Sequence, residues 1–425
     1  MNRLTKLKVA FGSLAATAAV AYADFLCEEW EHRLERKKIE ERLQFGHCDK
    51  PYYQEERFLI DRKSERKPLA KCLSPDENSR FYYVISGPHG CGKSRLIKET
   101  ACELIEETKE KKKDCGIIMA DVRTSKHVAV DIARSMGIAV ENEPQTLPGK
   151  LRSHFGYRYR PLYTIPNDAE TAIDYIGNVL ATQGRQFKEK NRRPLVIGLD
   201  DINVLADRND QQLERLQHWA KKLADDGLVI FAFIDSGGIA LQNMRKVPGR
   251  ASRMKEFIVQ DISEKDAKAF LSTALEDCNV DGNEVYDKLT NGRLQHLHWV
   301  REIVQNEKSY TYEALSKKLI GEVTFSSLQP CDLHTSLSGY KSVPERIRKR
   351  HELIKEMMKG KGKLSTEKAT TTLGLNAADQ YGSVSAWEAD LKLLVKKDIL
   401  LYCDGGKELT FHSRLVETAL KEVFC

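Results

Sequence analysis

Eight consecutive residues, Gly87 to Ser94 (GPHGCGKS), constrain the fold of this chain more than any other feature. They satisfy the pattern GxxxxGK[ST]. The run Phe81–Ile85 before them is rich in aromatic and β-branched residues, which predicts a buried strand. Arg95–Glu107 after them has apolar residues at helical spacing. This order predicts a phosphate-binding loop rather than a glycine-rich turn with a solvated lysine.

The loop is expected to hold phosphate mainly through its backbone. Glycines permit sharp turns that aim successive N–H groups at phosphate oxygens, and the following helix adds its dipole. Lys93 would place a positive charge at the β- and γ-phosphates of ATP, and the Ser94 hydroxyl would ligate Mg²⁺. His89 and Cys91 occupy variable positions of the pattern and receive no catalytic role. The predicted nucleotide-binding residues of this segment are Gly87, Pro88, His89, Gly90, Cys91, Gly92, Lys93, Ser94 and Arg95.

A pair of carboxylates follows a second apolar run. Pro194–Leu199 predicts a buried parallel strand, and Asp200 and Asp201 come directly after it. Asp200 is predicted to face the metal, together with Ser94, and Asp201 to orient or deprotonate the attacking water. The alternative is that the two carboxylates only cap a helix or a turn.

Two further runs, Gly116–Val122 and Gly227–Ile234, predict more strands. The second ends at Asp235, which would lie beside the γ-phosphate if its strand neighbours the one before the loop. Helices are predicted at about 125–136, 168–190 and 209–225. Strands that alternate with helices imply an α/β fold, in which helices cover a parallel sheet on both faces.

These motifs together resemble the STAND-type P-loop ATPases of archaeal kind, within the AAA+ superfamily. Phe58–Arg62, followed by Glu65 and Leu69, is similar to the motif that abuts the adenine in that family, with Asp61 in place of the usual glycine. The phosphate loop and Asp200-Asp201 match the family's two central motifs.

The resemblance also covers Asp235-Ser236-Gly237 and Pro248-Gly249-Arg250. It implies that Arg250, with Arg253 as its rival, senses the phosphate or acts as an arginine finger. It implies that Arg293, in Asn291-Gly292-Arg293 of a helical lid, contacts the γ-phosphate. ATP and Mg²⁺ are the implied cofactors.

The expected fold class is therefore a P-loop NTPase sheet covered by helices, followed by an α-helical lid and a winged-helix domain. A helix that begins after Ser263 opens the lid, and Ile399–Cys403 with Glu408–Phe411 predicts a hairpin around the turn at 404–406. The predicted parts are a targeting or membrane-anchor segment (1–24), a charged helix (25–50), the ATPase core (51–261), the lid (262–340) and a winged-helix-like domain (341–425).

The first residues leave several destinations open. Arg3, Lys6 and Lys8 precede the apolar stretch Val9–Ala23, and no acidic residue interrupts them. This pattern fits a mitochondrial presequence, an intracellular membrane anchor over residues 9–26, or a secretory signal, with an amphipathic tail as a further alternative. We favour a mitochondrial or membrane-anchored protein. The charged helix that follows is expected to be a solvated stalk.

Composition narrows the functional classes. A net charge of +6 and 41% hydrophobic residues exclude disorder, and one apolar run excludes a polytopic membrane protein. The ten cysteines contain no CxxC pair, so no zinc framework is expected. We expect a switch ATPase that engages a protein partner and forms a nucleotide-dependent oligomer. The alternatives are an initiator-like protein that binds DNA through the basic stretch 346–363, and a non-hydrolysing, membrane-tethered scaffold.

Overall fold

A five-stranded parallel sheet forms the centre of the computed structural model, with the strand order β2-β3-β4-β1-β5. The strands are β1 (Tyr82–Ser86), β2 (Ile117–Asp121), β3 (Leu195–Asp200), β4 (Val229–Ile234) and β5 (Met254–Ile258). The structure describes residues 22–49, 60–122, 127–138, 163–306, 310–333, 345–369, 391–403 and 408–424, except positions 23, 24, 27, 61, 164, 209, 237, 332, 361, 366, 392 and 396.

Helices cover both faces of this sheet, as the sequence predicts. Residues 28–45 form α1. The next helices are α2 (Lys63–Leu73), α3 (Lys93–Glu110), α4 (Val128–Ser135), α5 (Ala169–Asn191), α6 (Asn203–Arg208), α7 (Asp210–Asp225), α8 (Ile239–Arg245) and α9 (Pro248–Ala251). Apolar residues of α2 and α3 share one core with one face of the sheet, whereas α1, α4, α5 and α7 contribute to the core on the other face. Strands β3 and β4 are buried throughout, because both of their faces are covered.

The charged N-terminal helix is packed along one side, so the expectation of a solvated stalk is wrong. Ile39 and Leu43 lie in the core, and Glu31 and Glu35 nearer the start of the helix are also buried, whereas Trp30 is 52% exposed. The chain then pairs with the edge of β2: the His47 N–H donates to Ile117 O (2.8 Å), and the Met119 N–H donates to His47 O (2.7 Å). Paired backbone and buried side chains thus anchor the helix to the core.

The lid follows β5. It contains α10 (Glu264–Ala274), α11 (Gly282–Val285), a π-helical turn (Tyr286–Thr290), α12 (Leu294–Asn306), α13 (Tyr312–Val323) and a second π-helical turn (Thr324–Leu328). Ser263 caps α10, because its hydroxyl accepts the Asp266 N–H. Gln295 N–H donates to Gly90 O (3.0 Å), so the start of α12 rests on the phosphate loop.

The C-terminal part contains α14 (Glu345–Lys359), β6 (Lys363–Ser365), β7 (Leu400–Cys403), β8 (Glu408–Phe411) and α15 (Arg414–Phe424). The predicted hairpin is present, since β7 and β8 pair antiparallel, although its turn at 404–406 lies outside the described residues. Strand β6 pairs with the other side of β8.

Among the described residues, no helix is both long and apolar enough to span a membrane. The predicted targeting segment 1–24 and anchor 9–26 lie largely outside the described residues.

Candidate functional site

The strand order brings the predicted metal-side residues together. Strand β4 lies between β1 and β3, and all three run in the same direction, so their carboxyl ends share one edge. At this edge the Ser94 hydroxyl donates to Asp200 Oδ1 at 2.8 Å. The start of α3 and the end of β3 therefore meet at the mouth of the phosphate loop.

Two glycines of the loop are required by its backbone and by the lid. Gly90 and Gly92 have left-handed φ angles of 75° and 90°, which side chains disfavour. A Cβ at Gly90 would also collide with Gln295, and one at Gly92 would press on Leu294 at 2.9 Å. The loop thus leaves no space for side chains where the lid approaches it.

Lys93 is folded back into the loop. Its side chain is 3% exposed, and Nζ donates to Gly87 O at 2.8 Å and to Pro88 O at 2.7 Å. A phosphate oxygen is a stronger acceptor for an ammonium group than a carbonyl oxygen, because both partners then carry charge. The residues present therefore fit a bound phosphate chain.

The Asp200 carboxylate fits a metal ion. Its Oδ2 is buried and forms an ion pair with Lys98 Nζ at 3.2 Å. Asp121 is the register partner of Asp200 and lies 3.8 Å from the same ammonium group. Magnesium prefers oxygen ligands and retains water, so the Ser94 hydroxyl and the Asp200 carboxylate are suitable groups. Among the described residues, no cluster of three or more His, Cys, Asp or Glu side chains forms a separate metal site.

Asp201 occupies a constrained turn. Its φ angle of 62° is left-handed, a conformation that aspartate tolerates better than most residues. Its backbone N–H donates to Asp200 Oδ1 (3.1 Å), and the N–H of the next residue, Ile202, donates to Ile234 O at the end of β4 (3.1 Å), so the turn lies at the carboxyl ends of β3 and β4. This position suits the role that the sequence predicts.

Asp235 lies beside the loop and is fully buried. Its backbone N–H donates to Ile85 O at the end of β1, and its Oδ2 accepts the Leu241 N–H at 3.0 Å. Burial raises the pKa of the carboxyl to about 6, against the opposing effects of the Leu241 N–H and the Lys93 charge. The negative charge of Asp235 is therefore destabilising at neutral pH.

Asp235→Asn is expected to become more favourable relative to wild type as the pH rises. In the wild type, the stability that the protonated carboxyl supplies is present below the ordinary pKa of 3.8 and is lost as the pH rises through about 6. The difference in unfolding free energy between the two proteins should change by on the order of 1–2 kcal/mol between pH 5 and pH 8. Urea unfolding followed by tryptophan fluorescence measures this difference, and a value that does not vary with pH would contradict the assignment.

His89 connects the loop to the C-terminal part of the chain. Its Nδ1 lies 3.2 Å from Asp398 Oδ2, and this hydrogen bond raises the pKa of the imidazole, against the effect of burial. Asp398 lies two residues before the start of β7. Of the other predicted loop residues, Cys91 is fully buried, and Arg95 pairs with Glu99 one turn along α3 (2.8 Å).

Arg293 joins three parts of the molecule. It is 2% exposed, and its guanidinium pairs with both carboxylate oxygens of Asp261, at 2.6 and 3.1 Å. It also donates to His89 O in the loop (2.9 Å) and to His412 O after β8 (2.7 Å). Burial and the Arg293 charge hold the pKa of His412 well below its usual range, so this imidazole is neutral. Arg293, the predicted γ-phosphate contact, thus lies beside the loop, and its N–H groups donate to Asp261, His89 O and His412 O.

Arg250 lies near the amino ends of the strands, at the opposite end of the sheet from the phosphate loop. Its predicted contact with a phosphate is therefore wrong for a nucleotide on the same chain. The Tyr82 hydroxyl, at the start of β1, donates to Arg250 O (3.0 Å), and the guanidinium pairs with Glu214 at 3.1 Å. Residues that precede β5 lie at this edge because β5 runs parallel to β1. The rival Arg253 lies at the same edge and pairs with Asp225 (2.6 Å).

Arg62 ends the motif that the resemblance places against the adenine, and its contact with the loop backbone is not evident from the sequence. It is buried, pairs with Glu65, and donates to Cys91 O and to Gln260 O, both at 2.6 Å. It therefore links the loop backbone to the chain that leaves β5. Phe58, Leu59 and Asp61 of the same motif lie outside the described residues.

A cavity of about 360 Å³ opens beside the loop, between the lid and the C-terminal sheet. Pro88, Asp261, Arg293, His412 and Arg414 are among the residues that line it, whereas Lys93, Ser94 and Asp200 are not. The cavity therefore adjoins the loop and is separate from the carboxylate edge.

Comparison with solved structures finds the same fold in the Walker-type ATPase of Pyrococcus abyssi. The two sequences are 14% identical, the match covers 88% of this chain and 99% of that chain, and the TM-score is 0.51. The ORC2 protein of Aeropyrum pernix, solved as ADPNP-ADP complexes, matches at 16% identity over 90% of this chain and 97% of that chain, with a TM-score of 0.46.

No protein-family model matches the sequence, and no curated protein matches it. The P-loop NTPase fold expected from the sequence is confirmed by the parallel sheet and by the Pyrococcus structure.

Proposed function

We propose that this protein is a Mg-ATP-binding switch ATPase of the STAND type. The observation that carries the proposal is the contact between Ser94 and Asp200 (2.8 Å) at the mouth of a loop that also buries the Lys93 ammonium group. A glycine-rich turn that binds no ligand would not require Lys93 to be buried. Nor would it require Ser94, at the start of the next helix, to contact Asp200 at the end of β3. The fold shared with a Walker-type ATPase supports the same conclusion.

The loop would bind the phosphate chain through its N–H groups and through Lys93, which would exchange Gly87 O and Pro88 O for phosphate oxygens. Ser94 and Asp200 would hold Mg²⁺, directly or through water. When bound, the metal would neutralise charge on the phosphates and align them for attack by water. Lys98 would continue to balance the charges of Asp200 and Asp121.

Asp201→Asn is expected to slow ATP hydrolysis about 10²-fold or more while leaving nucleotide affinity nearly unchanged. The amide retains the shape of the side chain and tolerates the left-handed backbone, but it cannot accept a proton from water. Phosphate release measures the rate, and calorimetric titration with ATP measures the affinity. Equal turnover in the two proteins would show that Asp201 is not the base.

The switch itself would act through Arg293. Because this one side chain contacts the loop, Asp261 and His412, a γ-phosphate that attracts the guanidinium would weaken its hold on the C-terminal part. Lid and winged-helix module would then reorient and expose a surface for a protein partner. A nucleotide-dependent oligomer is part of the proposal, and Arg250 would act there from a neighbouring copy.

Calorimetric titration of the full-length protein with ATP, with and without Mg²⁺, tests the proposal. One site per chain, with tighter binding in Mg²⁺, is the expected result. Absence of binding under both conditions would reject it and leave the alternative of a non-hydrolysing scaffold. Light scattering with and without ATP measures the oligomeric state.

The second candidate is ATP-dependent DNA binding through the basic stretch 346–363. Several of its charges are already engaged: Arg350 is buried and donates to Cys331 O (3.2 Å), Lys359 pairs with Glu356 (2.7 Å), and Lys363 pairs with Glu408 (3.3 Å). These contacts favour the protein-partner reading. Duplex binding that weakens steeply with salt and requires ATP would favour the DNA reading instead.

A further inference from the structure

Two cysteines from separate elements meet on the helix that follows the phosphate loop. Cys48 lies in the segment after α1, and Cys102 lies in the middle of α3. The Cys48 thiol donates to Lys98 O (3.7 Å), one helical turn before Cys102, and the Cys102 thiol is close enough to raise the pKa of Cys48, after the larger effect of burial. Both thiols are reduced, and both residues are partly exposed.

The backbone holds these two residues in place. On one side, His47 is paired with Ile117 and Met119 at the edge of β2, which fixes the position of Cys48. On the other side, in α3, Lys98 O accepts the Cys102 N–H, as in any α-helix. The Cys48 thiol contacts this same carbonyl and therefore lies next to the turn that contains Cys102. A disulfide requires that the two cysteines be close neighbours, and the Cys48 contact with Lys98 O places its thiol at the helical turn that contains Cys102.

We propose that Cys48 and Cys102 are an oxidation site that closes into a reversible disulfide. A small-molecule disulfide such as oxidised glutathione is the oxidant. The thiolate of one cysteine attacks its S–S bond, forms a mixed disulfide and releases one glutathione thiolate. The thiolate of the second cysteine then attacks the protein sulfur and releases the other. Two protons leave the protein thiols, two electrons pass to glutathione, and one protein S–S bond forms.

The other described thiols near the loop lack this combination of contact and access. Cys72, Cys91 and Cys115 are buried. Burial and the neighbouring thiol raise the pKa of Cys48, so the exchange should become faster as the pH rises.

The disulfide would connect the N-terminal segment to the helix that carries the site. Helix α3 begins with Lys93 and Ser94, and Lys98 lies between them and Cys102. A covalent bond there would hold residues 46–49 on α3 as well as on β2. Oxidation is therefore expected to raise the midpoint of thermal unfolding.

Full-length protein equilibrated in mixtures of reduced and oxidised glutathione tests the proposal. After acid quenching and alkylation, peptide mass spectrometry should find a Cys48–Cys102 linked pair that dithiothreitol removes. Cys48→Ser and Cys102→Ser should each abolish the linked pair, whereas the control Cys72→Ser should retain it. This readout does not depend on ATP, so it stands apart from the proposed function.

Three results would overturn the proposal: complete alkylation of both cysteines after exposure to oxidised glutathione, glutathione adducts without an internal bond, or a link from Cys48 to Cys115. Each of these three outcomes would be looked for in the wild-type protein, so the conclusion does not depend on how well the serine variants fold.

Discussion

Lys93→Ala is expected to weaken ATP binding by about a hundredfold or more, which corresponds to roughly 3 kcal/mol for the loss of a buried, charge-assisted contact. The side chain already lies within the loop and donates to two carbonyl groups there, so it need not be reorganised from solvent. Calorimetric titration with ATP and Mg²⁺ measures the change directly.

Lys109→Ala is the matched control for this variant. Lys109 lies on the same helix, in its last turn, and is exposed. Its replacement should leave ATP affinity unchanged, and both variants should retain the circular dichroism of the wild type. Unaltered affinity in Lys93→Ala would refute the phosphate-loop assignment.

Arg293→Met is expected to release the C-terminal part of the chain from the core. The substitution keeps much of the apolar stem but removes every donor to Asp261, His89 O and His412 O. Breaking a buried ion pair costs about 3–5 kcal/mol, and the partial exposure of Asp261 favours the lower value. Hydrogen exchange should become faster in β7, β8 and α15, with little change in β3 and β4.

Arg414→Met tests whether the loss of any arginine at the cavity would release the C-terminal part of the chain. Arg414 also lines the cavity, but its pair with Glu417 (3.3 Å) is exposed, so its loss should cost no more than about 1 kcal/mol. Equal exchange in the Arg293 variant and the wild type would show that this contact does not hold the C-terminal part in place.

The core of the fold was predictable because its signals are local. The glycine loop lies between a strand and a helix in the sequence itself, and the strands of Leu195–Asp200 and Val229–Ile234 are continuous apolar runs. The position of Asp200 opposite Ser94 then follows from the rule that parallel strands end at a common edge.

The errors arose where long-range pairing decides the position. Strand β5 (MKEFI) carries charges on an exposed edge, so it has no continuous apolar signal. Without that strand, the side of the sheet on which Arg250 lies could not be predicted. The contact between Arg293 and His412 likewise joins residues that are 119 positions apart, and no local pattern reports it.

The N-terminal helix has a consequence for how the protein resists self-association. Residues 46–49 cover the edge of β2, whereas the outer side of β5 carries Lys255 and Glu256, charges that discourage another strand from pairing. A shortened protein that starts near residue 50 would uncover the carbonyl of Ile117 and the amide of Met119, together with apolar surface now covered by Ile39 and Leu43. Such a fragment would aggregate by adding strands at that side, although it would retain the whole phosphate loop and Asp200.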